Sequence, residues 1–470
     1  MPDLEARHPA PAIGTPRAAR LAALAFALAA ALAPRAFAGN SDGSFIGNDA
    51  ALAAGAVVAR DGTGDAAWHD PAGLATLARD RVDVSATVFA LRAQTLDNII
   101  HSQLPDDSFA SDLDSNELLV IPSTLIATYR FCDGVTGAIG FFTPHQDYLS
   151  SSSLVTSDLG DPGRDAANLY QQRVDLLIDE VDYQVTAAVG WEIEPTLRVG
   201  FGLYGTYTSL EERLVIAVAL PPLPPGLPEL AFGSATIETS GDSYGFELGG
   251  GVQWDFSPGW TLGVAIRSPD MSLYRKGRSA VLVTSDAGEA AGEFGTTVNE
   301  FSDFAFDLVA PGRISVGVQD RTSWGWAAAQ IDIDTALSQA DFGIDRDTVV
   351  NGRVGFAYRY SDTWTLGGGV YTDIGAGSDR NQIGDRSVDY YGLTAGLERA
   401  TYFSLRDDPR PDAITMRTVV ALRYAYGTGQ ASALDITVAD DGNIDLDTAS
   451  TNIDLSVHEV ALYIGAGLDY

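Results

Sequence analysis

Eight arginines, Arg130, Arg198, Arg267, Arg313, Arg353, Arg359, Arg417 and Arg423, fall on the polar side of segments in which apolar residues alternate. A guanidinium offers a planar fork of donors that matches a carboxylate, so such a row could hold the carboxylate of a ligand. The competing reading is structural, with each Arg paired to an Asp or Glu on the same face. Arg353 and Arg423 stand farther from the rim of short turns and are the preferred ligand-binding candidates. Ile331-Asp332-Ile333-Asp334 places two acids on that face, which suits acid–base work, a cation or simple solvation. His69, His101, His145 and His458 stand near no visible nucleophile, and no metal-ligand spacing occurs. Cys132 is the only cysteine, which rules out a disulfide framework. The legible chemistry is binding, so no enzyme activity, cofactor or metal is expected.

Those positions belong to strands. From Val457 onward, His458, Val460, Leu462, Ile464, Ala466, Leu468 and Tyr470 alternate with Glu459, Ala461, Tyr463, Gly465, Gly467 and Asp469. Side chains of a strand alternate between two faces, so one side suits lipid and the other a polar lumen. The same reading predicts fourteen strands, near 81–91, 119–131, 135–144, 181–193, 196–208, 243–255, 260–268, 301–320, 323–335, 351–361, 363–374, 388–399, 413–427 and 454–470. Pro311 removes a ladder donor and predicts a bulge or two short strands within 301–320. Short turns alternate with long connections near 92–118, 145–180, 209–242, 269–300, 336–350, 375–387 and 428–453. Trp191, Trp254, Trp260, Trp324, Trp326 and Trp364, six of the seven Trp, flank the short turns. Indole favours a membrane–water interface, and a soluble sandwich or propeller gives no reason to gather Trp there. The fold class is therefore all-β, a transmembrane antiparallel barrel of about 14 strands. A lumen of that width needs a plug or water.

Composition agrees. The 470 residues are 46% hydrophobic and 20% charged, and mean hydropathy is +0.03, too polar for a helical membrane protein. Arg17 and Arg20 precede an apolar run from Leu21 to Ala33, and Ala36-Phe37-Ala38 fits a leader-peptidase site. The expected division is 1–38 signal peptide, 39–80 lumenal plug and 81–470 barrel. Losing the leader removes four of 29 basic and two of 63 acidic residues, so the net charge moves from −34 to −36. No basic patch survives for nucleic acid. Acids concentrate in predicted loops, Asp106 to Glu117 and Asp435 to Asp447. They serve solubility, or they bridge divalent cations to anionic lipopolysaccharide.

Gly39 to Ala78 is rich in small residues and not strand-like. Here the chain resembles the FadL family of outer-membrane transporters for long-chain fatty acids and other hydrophobic compounds. Ala53-Ala54-Gly55-Ala56, then Asp65-Ala66-Ala67-Trp68-His69-Asp70-Pro71-Ala72-Gly73-Leu74, looks like that family's N-terminal hatch with its Asn-Pro-Ala-Gly-type motif. Asp70 stands where the family usually has Asn. Val120-Ile121-Pro122-Ser123, Gly140-Phe141-Phe142-Thr143-Pro144 and Trp260-Thr261-Leu262-Gly263-Val264 are further similarities.

The resemblance implies passive uptake of hydrophobic molecules such as long-chain fatty acids, in the outer membrane of a Gram-negative cell. Its implied hatch residues are Trp68, Asp70, Pro71, Ala72 and Gly73. An apolar stretch with Leu214, Ile216, Val218, Leu220, Leu223, Leu227 and Phe232 would form the capturing groove, or would extend the fifth strand. Gly140 and Pro144 would kink the third strand into a lateral opening, or Pro144 would simply begin a loop. Expected partners are the cargo, outer-membrane lipid and lipopolysaccharide, and the barrel-assembly machinery through the strand ending at Tyr470. The chain is expected to act as a monomer. The alternatives are a surface structural or adhesive barrel with acidic cation-binding loops, and an open porin for polar solutes.

Overall fold

The computed structural model describes residues 45–103, 108–158, 169–220, 231–286, 294–304, 310–339, 344–376, 386–403, 414–438 and 444–470. Within them the strands are β1 (Arg81–Gln103), β2 (Ser108–Cys132), β3 (Val135–Ser157), β4 (Tyr170–Glu194), β5 (Leu197–Leu220), β6 (Ala231–Ser257), β7 (Trp260–Arg267), β8 (Met271–Asp286) and β9 (Phe294–Phe304). They continue with β10 (Arg313–Thr322), β11 (Gly325–Asp334), β12 (Leu337–Gln339), β13 (Ile344–Arg346), β14 (Val349–Arg359), β15 (Trp364–Asp373), β16 (Arg386–Phe403), β17 (Ile414–Val438) and β18 (Ile444–Asp469). Fourteen of these, β1–β7, β10, β11 and β14–β18, form a ring of antiparallel neighbours. It closes where β1 meets β18 and β5 meets β6. The expected leader and Gly39–Ser44 lie outside the described residues.

The strands near Pro311 are two, β9 and β10, as the missing donor requires. A matching break at Ser268-Pro269-Asp270 separates β7 from β8. β6 pairs with β7 through Gly249–Ser257 and with β8 through Phe232–Phe246, so β8 continues the wall upward from β7.

Most of the expected long loops are strand instead. β4 has 25 residues and β5 has 24, against 10 each in β10, β11 and β15. In β4 and β5 side-chain parity holds along the strand, but polarity inverts. In the lower half of β4, Val185, Val189 and Trp191 face out while Gln184, Thr186 and Gly190 face in. In its upper half Val174, Leu176 and Ile178 face in and Arg173, Asp175 and Asp179 face out. A pattern sought as apolar-out and polar-in loses the strand at the inversion. The inward aliphatic residues of the upper strands, among them Leu96, Leu113, Leu149, Leu214, Ile237 and Leu455, pack into one cluster. Each such side chain contributes about 1.5–3 kcal/mol on burial.

Two aromatic bands mark the apolar zone of the outer face. Trp191, Trp254, Trp260, Trp324 and Trp364 are exposed beside the short turns. Trp326 departs from that expectation, because it faces the lumen with the Arg60 guanidinium 5.0 Å from its ring centroid. At the level of the inversion a ladder of rings, Phe141, Tyr183, Tyr207, Tyr244 and Tyr274, crosses five adjacent strands with centroid spacings of 5.8, 6.1, 4.7 and 6.0 Å. Between Leu197 and Tyr207 a tilted strand rises about 25 Å, the height of the apolar band of an outer-membrane barrel.

Residues 45–80 lie inside the ring. They contain a short helix α1 (Asn48–Leu52), a helical turn α2 (Ala66–His69) and a 3-10 turn η1 (Pro71–Thr76). Inward positions of the wall opposite this plug are glycines. A β-carbon at Gly190, Gly200, Gly263, Gly355 or Gly367 would come under 3.0 Å from plug backbone. Gly352, on the outer face, has nothing within 4 Å. Gly200→Ala should therefore destabilise the barrel by about 1–3 kcal/mol through overpacking. Gly352→Ala should stay within about 0.5 kcal/mol of wild type. Urea unfolding of refolded protein in lipid vesicles measures both, and equal effects would contradict the close seating of the plug.

Candidate functional site: plug, lumen and wall

The resemblance motif builds its own local structure. Asp70 is the N-cap of η1, its Oδ1 accepts the Ala72 N–H at 3.0 Å, and Pro71 occupies the first turn where no N–H is needed. Ala72 and Pro71 press on Gly200. Gly73 passes so near the Arg60 carbonyl that a β-carbon would lie 2.6 Å from it. Asp70 thus keeps the acceptor role of an Asn at this cap. Its Oδ2, fully buried, has no hydrogen-bond partner.

The wall grips plug backbone with side-chain amides. Gln330 Oε1 accepts the N–H groups of Val57 and Val58 at 3.0 and 2.9 Å. Gln253 Nε2 donates to the carbonyls of Val58 and Arg60, both at 3.1 Å. Trp68 Nε1 donates to Gln184 Oε1 at 3.1 Å, and Tyr204 donates to the Ala67 carbonyl at 3.0 Å. Arg267 lies over both the Trp68 and Tyr204 rings, 4.3 and 4.2 Å from their centroids. At the floor Asp61 receives Arg198 and Arg321, each at 2.9 Å, and Arg198 also reaches Asp255 at 2.6 Å. Pattern reading missed these Gln and Tyr contacts. Their one signal was a neutral polar residue among inward glycines.

A charged layer crosses the lumen between plug and aliphatic cluster. Arg92 pairs with Asp147 at 2.8 Å and Glu459 at 3.1 Å. Arg386 pairs with Asp147 and donates to Gln94 at 2.9 Å. Arg423 bonds Tyr371, stands 3.8 Å from Glu459 and lies 5.2 Å from the ring centroid of Phe45. Arg353 bonds Asp332 at 2.7 Å beside Gly55. The two ligand candidates thus sit in separate ion pairs, both buried. Cavities of about 30 and 10 Å³ border the plug and the charged layer, too small for a lipid-sized guest.

Leu214, Ile216 and Val218 face the lumen in the upper part of β5, paired with β6 from Leu214↔Ile237, and none is exposed beyond 3%. The apolar stretch is thus a strand extension. Leu220 ends β5 opposite Ala231, and Leu223 and Leu227 lie outside the described residues. Phe232 is exposed on the outer face and does not join the others.

Pro144 neither ends β3 nor begins a loop, since β3 continues to Ser157. What stops at this level is a ladder. β2 and β3 pair from Cys132↔Val135 to Thr124↔Phe142 and no further. Above, β2 pairs only with β1 and β3 only with β4. Pro122 and Pro144 flank the point of parting, and Pro cannot supply a ladder N–H. Bulges fall in β1 near Thr87 and in β3 between Phe142 and His145. Side chains bridge the parted strands higher up, with the Ser150 N–H to Glu117 Oε1 at 3.2 Å and Ser151 Oγ to the Asp114 carbonyl at 2.7 Å. Gly140 leaves room for the Phe142 ring, whose other side meets Trp68 at a centroid distance of 6.5 Å. Tyr148 packs on Ala90, Leu119, Ile121 and Ala461 beside the parting.

Among the described residues no group of three or more His, Cys, Asp or Glu is placed to hold a metal ion. Asp70→Asn keeps the cap and removes a buried carboxyl with one idle oxygen. It should raise stability by about 1–3 kcal/mol. Asp70→Ala loses the cap and should lower it by about 1 kcal/mol. The urea midpoint of the vesicle-bound protein reads the order Asn, Asp, Ala.

Neither protein-family models nor curated protein sequences match this chain. Solved structures do. The Pseudomonas aeruginosa FadL homologue superposes with a TM-score of 0.56 at 14% identity, over 92% of this chain and 98% of that one. The Ralstonia pickettii toluene transporter TbuX gives 0.52 at 14% identity, over 92% and 99%. The P. putida toluene transporter TodX gives 0.50 at 12% identity, over 87% and 94%. The closed ring, the glycine-seated plug and these superpositions together give the chain the fold of the FadL-type channels.

Proposed function

We propose that this chain is a FadL-type outer-membrane channel for passive uptake of hydrophobic small molecules. The observation that carries the reading is the parting of β2 from β3, which interrupts the wall beside both the plug and the aliphatic interior. Cargo enters among the upper strands at Leu214, Ile216 and Val218, with Leu220, Leu223, Leu227 and Phe232 at their outer end. It passes the charged layer that holds Arg353 and Arg423. The plug at Trp68, Asp70, Pro71, Ala72 and Gly73 shifts, and cargo leaves past Gly140 and Pro144 into the bilayer. Burial of apolar cargo supplies the driving force, and no covalent step is required. Toluene transport by TbuX and TodX supports an apolar cargo. Long-chain fatty acids and neutral hydrocarbons both belong to that class.

The close seating of the plug backbone on Gly190, Gly200, Gly263 and Gly355 of the wall argues against an open porin. In this reading residues 1–38 are a cleaved leader, the outer face contacts lipid and lipopolysaccharide, and the final strand engages the barrel-assembly machinery. A monomer suffices, because the exit lies in the chain's own wall.

Mature protein in liposomes should give saturable uptake of a hydrophobic probe over empty liposomes while excluding a small sugar. Sugar entry without probe uptake would mean a porin. Replacing both Pro122 and Pro144 by Ala restores two ladder donors and should let β2 and β3 close. Uptake should then fall roughly tenfold while the barrel stays folded. Unchanged uptake in that variant would remove the β2–β3 exit from the mechanism.

A further inference from the structure

We infer that the lumen selects uncharged hydrophobic molecules and excludes those bearing a carboxylate. The inference rests on the channel reading above and concerns only the class of cargo. Three observations carry it. First, the upper interior is aliphatic, with Leu96, Leu113, Leu214 and Leu455 each exposed by no more than 3%. A carboxylate entering there loses its hydration, and among the described residues no arginine or lysine belongs to that aliphatic cluster.

Second, the cations beneath are already matched. Among the described residues, every arginine buried in the lumen has a carboxylate within ion-pair distance. Arg92 and Arg386 share Asp147, Arg92 and Arg423 share Glu459, Arg353 has Asp332, Arg313 has Asp334 and Arg198 has Asp61. Those carboxylates are tethered at contact distance. A guest carboxylate must displace one and leave it buried without its partner. Third, two more buried carboxyl groups face any anion that reaches these levels, Glu117 beside the shared pairs and Asp70 in the plug, neither in bonding contact with an arginine. A neutral guest requires nothing of these groups and keeps the gain from apolar burial.

The test uses mature protein in nanodiscs at pH 9, with radiolabelled 1-hexadecanol and hexadecanoate, which share a chain length and differ in charge. Empty nanodiscs correct for partition into lipid. Hexadecanol should bind at least about tenfold more tightly than hexadecanoate. Equal or tighter hexadecanoate binding overturns the inference and leaves the channel reading standing. Binding of neither above empty nanodiscs overturns the channel reading, and the inference with it. Glu459→Gln releases Arg423 and part of Arg92 from their shared carboxylate. The ratio of hexadecanoate to hexadecanol affinity should then rise about tenfold. An unaltered ratio in a variant that retains the heat-modifiable gel mobility of a folded barrel overturns the claim that internal ion pairs do the excluding. The wild-type comparison decides the cargo class even where that variant fails to fold.

Discussion

A β-strand cannot exchange its inward and outward side chains without inserting a residue, and this constraint organises the whole molecule. β4 and β5 cross two environments on one parity. Where lipid lies outside, Phe201 and Leu203 face out and Gly200 and Gly202 face in. Above the tyrosine ladder water lies outside, and Leu214, Ile216 and Val218 turn the interior into an apolar core without any shift of register. The upper barrel then coheres like a soluble sheet protein, by burial against its own opposite wall. The β2–β3 ladder stops at two prolines and a bulge, where ladder donors are missing.

The plug follows from the same geometry. At the level where the inward wall positions are glycine, the fourteen-stranded ring is not filled by its own side chains, and the backbone of residues 45–80 occupies it. Buried backbone needs partners, and the inward amides of Gln184, Gln253 and Gln330 supply them. Close approach needs missing side chains, and Gly190, Gly200, Gly263 and Gly355 supply that. The plug is gripped largely by neutral hydrogen bonds, with ion pairs mainly at its floor and rim. Each neutral bond contributes only about 0.5–1.5 kcal/mol net.

Charge in the lumen is arranged for internal balance. Arg353 with Asp332 and Arg423 with Glu459 come from strands whose own sequences show only one partner of each pair. Removing one partner of such a buried pair costs about 3–5 kcal/mol, because the other charge is left uncompensated.

Much of the architecture was legible in the chain. Strand parity, the count of fourteen, the short-turn rim of Trp, the break at Pro311 and the small-residue segment before β1 all follow from local spacing. Period-two alternation and turn chemistry act over a few residues. The polar-out upper strands were read as loops, because a lipid template expects apolar residues outside and the inversion depends on where the membrane ends. Trp326 was placed with its neighbours in the rim, yet it shares the inward face of β11 with Ala328 and Gln330 and meets Arg60 of the plug. Leu214–Val218 suggested an exposed groove until the opposite wall covered it. Alternation, then, settles which residues share a face. Only the closed ring decides what that face meets, because ion pairs, plug contacts and the β2–β3 parting join residues tens to hundreds of positions apart.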